Sequence, residues 1–165
     1  MIKGKKKFGI IDSLVLTDYI LYKGGAMSHL KLQKVLYYIQ AYHLAYFNLP
    51  LIEDDFQAWV HGPVSRKVFN NVRDLSVLYD EIHYFQAEGE EHIEKKMAHL
   101  VKDQLELIDE IILEYGALSG IQLESLTHSE SPWINARRGF GASQRCEEII
   151  SKDVMRTFYK KEIYG

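Results

Sequence analysis

Seven histidines are the residues through which this chain could most readily move a proton near neutral pH. Two of them stand in suggestive company. His61 lies in the run Ala58-Trp59-Val60-His61-Gly62-Pro63-Val64, next to a glycine that lets backbone approach a ligand closely. A histidine in such a turn can act as a general base. His128 lies in Thr127-His128-Ser129-Glu130, which sets hydroxyl, imidazole and carboxylate side by side. Such groups assemble in space rather than along the chain, so their adjacency carries no weight. No nucleophile or paired carboxylate stands at a telling distance from either histidine. The expectation is that both hydrogen-bond at helix junctions, and that the chain has no catalytic residue.

Metal and cofactor chemistry find little footing. His92 and His99 are seven residues apart, about two helical turns, which is too far to clasp one ion unaided. The HExxH signature is absent and Cys146 is the one cysteine, so no metal ligand set is expected. Gly139-Phe140-Gly141 is not a dinucleotide fingerprint, because Gln144 stands where the third glycine would fall and no clear strand precedes it. It reads as a flexible connector, and no cofactor is expected. The two tryptophans are more informative. Trp59 and Trp133 each lie close to a proline, Pro63 and Pro132. Each indole either caps the core or, held on a rigid turn, anchors a partner protein.

These residues must be positioned by helices. Residues 11–23 have helical period and stop at Gly24-Gly25. Ser28 reads as the N-cap of a long segment ending near Pro50. In it Leu32, Leu36, Ile39, His43 and Tyr46 recur at spacings of three and four, and the other side is also mostly apolar. A helix apolar nearly all round belongs at the centre of the fold. Lys31 and Lys34 mark its polar strip. "FQAWV" is a short strand or an extended lead-in. Pro63 suits a first helical position, with Val64, Val68 and Val72 forming one apolar edge of the helix it starts. Residues 75–91 alternate loosely and suggest two short strands or an irregular loop.

From Ile93 to Tyr115 the helical period returns, with Val101, Leu105, Ile108, Ile112 and Tyr115 as its stripe. Asp103, Glu106, Asp109, Glu110 and Glu114 crowd the opposite side, as a solvated face or a surface for a basic partner. A short helix follows in "SGIQLESLTHSE". Another opens with Ser131 as N-cap and Pro132 at its first position, and a last one begins after Ser151. The sum is a mainly α fold, a single compact domain of about five to seven helices around a buried central helix, with at most a small β element. Residues 1–10 read as a basic, flexible tail and 11–165 as the domain.

Composition narrows the function. The 165 residues suit one domain, and a 47% hydrophobic content excludes a disordered chain. The net charge of −3 speaks against wholesale nucleic-acid binding. Seven Lys/Arg face two Asp/Glu over residues 1–48, and thirteen face twenty-one over 49–165. With one cysteine, no signal-peptide pattern and no apolar run of spanning length, a cytoplasmic location is expected and no membrane partner.

The run "LKLQKVLYYIQAYHLAYFNLPLIEDDFQAWVHGPV", residues 30–64, resembles the Panacea domain of SocA-like antitoxins and phage-associated GepA-like proteins. The matching residues are Leu32, Lys34, Leu36, Tyr38 and His43 in the central helix, then Ala58, Trp59, Gly62, Pro63 and Val64. Tyr115, Gly116, Leu118 and Ser119 follow, then Leu126, Thr127, His128, Pro132 and Trp133. The resemblance covers roughly residues 11–160. Two departures stand out: His61 occupies a position where tyrosine is common, and residues 80–100 do not follow the pattern. The resemblance implies a mostly helical cytoplasmic protein without catalysis. It implies an antitoxin that neutralises a cognate toxin protein by direct contact, the toxin being encoded by the adjacent gene, often on a prophage or mobile element. It also admits a proteolytic adaptor that delivers the toxin to an ATP-dependent protease. A small enzyme using His61 or His128 is the remaining alternative. The node expected to be structural or partner-binding comprises Trp59, His61, Gly62, Pro63, Val64, His128, Pro132 and Trp133. Residues 75–100 and the basic N-terminus would select the toxin.

Overall fold

Helix α2 (His29–Phe47) is the axis of the molecule, and fifteen of its nineteen residues are buried, so it is walled on every side. Ser28 caps its N-terminus by accepting from the Lys31 N–H, and Asn48 ends it in the left-handed region with φ 60°. In this computed structural model, residues 7–73, 81–82 and 90–165 are described. Helix α1 (Ser13–Gly24), α5 (Lys102–Gly116), α6 (Gly120–His128) and α8 (Lys152–Tyr164) pack around α2. The shorter α3 (Arg66–Val72), α4 (Glu90–Met97) and α7 (Ser131–Ala136) complete the shell. The fold is mainly α and forms one compact domain, as its apolar periodicity predicts. Among the described residues there are eight helices, one beyond the expected range. The extra one arises because residues 93–115 are two helices. Val101 is extended (ψ 161°), so α4 stops short of it and α5 begins afresh with Gln104 Oε1 accepting from the Val101 N–H.

The β element is small. Strands β2 (Phe56–Trp59) and β3 (Gly62–Ser65) form a hairpin, and β5 (Ile149–Ile150) adds to the free side of β2 in antiparallel register, giving the order β3-β2-β5. A second pair, β1 (Met27–Ser28) with β4 (Glu81–Ile82), closes the end of α1. Residues 74–80 and 83–89, on which the expected strands or loop of 75–91 mostly fall, lie outside the described residues.

The hairpin corrects the reading of Gly62-Pro63 as a helix start. Pro63 sits in β3 opposite Ala58, on the outer strand of the sheet, where a missing N–H is tolerated. Gly62 carries the positive φ of 111° that closes the two-residue loop Val60-His61. The helix starts three residues later, with Ser65 as N-cap accepting from the Val68 N–H. Val64 is therefore a strand residue, while Val68 and Val72 are the buried edge of α3. In α7 the N-cap is Glu130 rather than Ser131, so Pro132 is the second helical residue and not the first.

Polar residues of α2 dock the hairpin and its approach. Gln33 Oε1 accepts from the Ser65 N–H (3.0 Å) and its Nε2 donates to the Ser65 carbonyl (3.2 Å). Seven residues on, Gln40 does the same for Leu51 and Ile52, with bonds of 2.8 to 3.2 Å. Two amides two turns apart thus satisfy backbone that no strand covers, which would otherwise be costly to bury. Residues 1–6 lie outside the described residues, but the Gly9 N–H donates to Gln104 Oε1, and Phe8 packs on Phe47 with ring centroids 4.8 Å apart.

Candidate functional site

The residues of the expected node lie on the hairpin, α6 and α7, and they face different ways. The hairpin loop presents His61 outward, with its side chain 48% exposed, and His61 Nδ1 lies 2.7 Å from Glu124 Oε1 of α6. Behind the loop, Trp133 Nε1 donates to the Trp59 carbonyl (2.8 Å), tying α7 to β2. His128 stacks on Trp133 with centroids 3.9 Å apart and planes 15° from parallel. Burial holds the His128 imidazole below its ordinary pKa despite nearby Glu124 and a hydrogen bond with the Val60 backbone, and its Nε2 is buried with no hydrogen-bond partner among the described residues. The Trp59 ring itself is half-buried, edge-on to Phe69 at 4.8 Å, with the Arg66 guanidinium 5.0 Å from its centroid. Pro132 and Val64 are buried.

The run Thr127-His128-Ser129-Glu130 fans out in four directions. Thr127 faces Gly62 and donates to the Glu124 carbonyl, whereas Ser129 is exposed and donates to the Leu126 carbonyl. Glu130 points into a nest of tyrosines, accepting from Tyr38 (2.6 Å) and Tyr159 (2.8 Å). Desolvation raises its carboxyl pKa, and the two phenolic donors offset part of that. The Tyr159 and Tyr37 hydroxyl oxygens lie 3.1 Å apart, within hydrogen-bond distance, and Tyr115 stacks on Tyr38 at 4.4 Å. The helix geometry separates these four residues, so the hydroxyl, imidazole and carboxylate do not form one constellation.

Lys34 is the residue that sequence reasoning misplaced. It is not on a polar strip but almost wholly buried. Its stem passes beneath Gly62, where a Cβ would collide with Cε of Lys34 and sit 2.9 Å from Thr127 Oγ1. Its Nζ donates to the Pro63 carbonyl (3.3 Å). Desolvation pushes its pKa down to about 7, opposed by Glu124. Neighbouring His29, stacked on Phe69 at 5.4 Å, is pushed down to about 4 by burial and by the Lys34 charge. The Gly62 position is thus an opening made for Lys34, and the two residues stand together among those that match the family pattern.

Arg137 is a second unforeseen member. It is buried, and its guanidinium donates to the carbonyls of Ala58 (2.8 Å), Gly141 (2.8 Å) and Gln144 (2.6 Å) while lying 5.1 Å from the Trp133 ring centroid. The connector 139–144 is therefore clasped to the hairpin.

Between α2, the hairpin, α3 and residues 145–147 lies a cavity of about 420 Å³. Its lining includes Lys34, Trp59, His61, Val64 and Cys146. Among the described residues no group of three or more His, Cys, Asp or Glu converges to hold a metal ion, and no helix is long and apolar enough to cross a membrane.

The model of the family described as Antitoxin SocA-like, Panacea domain, matches residues 32–134, which span α2, the hairpin, α6 and Trp133. Among curated proteins the chain is similar to Antitoxin SocA of Caulobacter vibrioides (strain NA1000 / CB15N), with 26% identity over 170 residues covering 88% of this chain and 83% of that protein. No solved structure matches.

Proposed function

The chain belongs to the antitoxin SocA-like, Panacea domain family, and from that premise we propose that it is a cytoplasmic antitoxin that neutralises a cognate toxin protein by binding it directly. The observation that carries this reading is the match over residues 32–134, which takes in the whole Trp59–Trp133 node. The likeness to Antitoxin SocA along most of both chains supports it. The antitoxin works by contact and not by bond-making. Its helical core holds a preformed face, so little ordering entropy is lost when the toxin docks. That face is the hairpin tip with helices α6 and α7, where His61, Ile121 in the first turn of α6 (65% exposed) and Ile134 of α7 (46% exposed) reach solvent.

Co-expression with the neighbouring open reading frame tests the proposal. Growth arrest by the neighbour alone, relieved by this chain, is expected, together with a complex that co-purifies. An inert neighbour, or rescue without a complex, would overturn it. Ile121→Glu and Ile134→Glu should abolish rescue while leaving the melting temperature unchanged. A toxin that accumulates when an ATP-dependent protease is deleted would replace masking with delivery for degradation.

A further inference from the structure

The cavity between α2 and the hairpin has the chemistry of a small-molecule site. At about 420 Å³ it falls at the small end of the roughly 300–1,000 Å³ typical of small-molecule sites. Four of its fourteen lining residues are Lys or Arg and one, Glu147, is acidic, in a chain whose net charge is −3. One wall is aromatic: Phe69 stacks on His29 and meets Trp59 edge-on. The cations are not all spent on one another's partners. Arg66 and Arg145 share a single Glu147 oxygen. Lys34, 1% exposed, has among the described residues the Pro63 carbonyl as its hydrogen-bond acceptor, so an ammonium with three N–H groups is bonded through one of them. A buried amine with donors to spare suits an anion, which would keep it protonated. An aromatic wall beside it calls for a flat ring on the same molecule.

We propose that this cavity binds a nucleoside phosphate, with the base against the Trp59–Phe69 wall and the phosphate held by Lys34 and Arg66. The site is distinct from Gly139–Gly141, which Arg137 clasps elsewhere. Lys34 presents a point charge at depth, and Arg66 a planar fork at the rim able to exchange Glu147 for phosphate.

The test is titration of the isolated chain with purine and pyrimidine nucleoside monophosphates, inorganic phosphate and benzoate, followed by tryptophan fluorescence and calorimetry. At least one nucleotide should saturate in the micromolar to low-millimolar range, with quenching that Trp59→Phe removes. Lys34→Met and Arg66→Gln should each weaken it by at least about tenfold, the worth of one charge-assisted bond, with unchanged circular dichroism. Arg66 is partly exposed, so its replacement keeps the test valid should Lys34→Met misfold. Absence of saturable nucleotide binding overturns the proposal. So does binding indifferent to both variants, or phosphate or benzoate alone binding as tightly as any nucleotide. The readout needs no toxin, so this outcome and that of the antitoxin reading are separate.

Discussion

Trp133 and Trp59, the two indoles of the chain, are coupled through one hydrogen bond from the Trp133 ring N–H to the Trp59 carbonyl oxygen, 2.8 Å long. Seventy-four residues apart, they pin the α6–α7 corner to the hairpin that carries His61. Trp133→Phe keeps a ring to stack on His128 but removes the donor, and should cost about 0.5–1.5 kcal/mol in chemical denaturation. Trp133→Ala loses the ring as well and should cost about 3 kcal/mol, the low end for aromatic truncation because the indole is half-buried. Equal losses for the two variants would show that the hydrogen bond contributes all of the effect.

Gly62→Ala meets two penalties at once. The residue has φ 111°, and the new methyl would occupy the space of the Lys34 stem and lie 2.9 Å from Thr127 Oγ1. Left-handed strain of about 1–2 kcal/mol and overpacking of about 1–3 kcal/mol predict a loss near 3 kcal/mol in thermal unfolding. The double variant Gly62→Ala with Lys34→Ala should recover the part of the packing penalty due to the Lys34 stem, and neither the Thr127 contact nor the backbone part.

Lys34 makes stability depend on pH in an uncommon direction. Its pKa falls from 10.5 to about 7 on folding. Between those values the unfolded chain binds a proton that the folded chain does not, so stability rises as pH climbs from 7. Above pH 10 tyrosine ionisation opposes this, because burial and Glu130 raise the Tyr38 pKa on folding. Urea midpoints should therefore increase from pH 7 to 9.5 in the wild type and change less in Lys34→Met. At pH 6 the variant should be the more stable of the two, as expected when a desolvated charge gives way to a similar apolar stem.

Arg137→Met should loosen the connector without touching the core helices. Three carbonyls would lose their charged donor, which predicts a loss of at least about 3 kcal/mol. Hydrogen exchange should speed up over residues 139–146 before it does in α2. Arg137→Lys should not restore protection, since one ammonium cannot reproduce a planar fork.

Much of the scaffold was legible from residue spacing. Ser28, Gly25 and Ser151 mark helix ends where their caps stand, and the all-round apolar character of residues 29–47 identifies the central helix. In α5 the expected Ile108 and Ile112 are buried, but the stripe runs on through Gln104, Leu107 and Ile111 rather than through Leu105 and Tyr115, which are intermediate. Pro63 misled because a proline before a helical pattern fits an outer strand as well as a first turn, and only the partner strand decides. Gln33, Gln40, Lys34, Glu130 and Arg137 escaped for a common reason. Each is a polar side chain buried by satisfying backbone or hydroxyl groups distant in sequence, and local periodicity carries no trace of such partners. Of the expected node, Trp59, His61, Gly62, Pro63 and Val64 share the hairpin, and His128 and Trp133 pack behind it.

Cys146 is 2% exposed and belongs to the cavity wall. As the only thiol in the chain it is a built-in clock. Its rate of reaction with a disulfide reagent measures how often that wall breathes, residue 146 being shielded whenever it is shut. No engineered label is needed, and any molecule seated inside would be announced by the slowing of a single colour change.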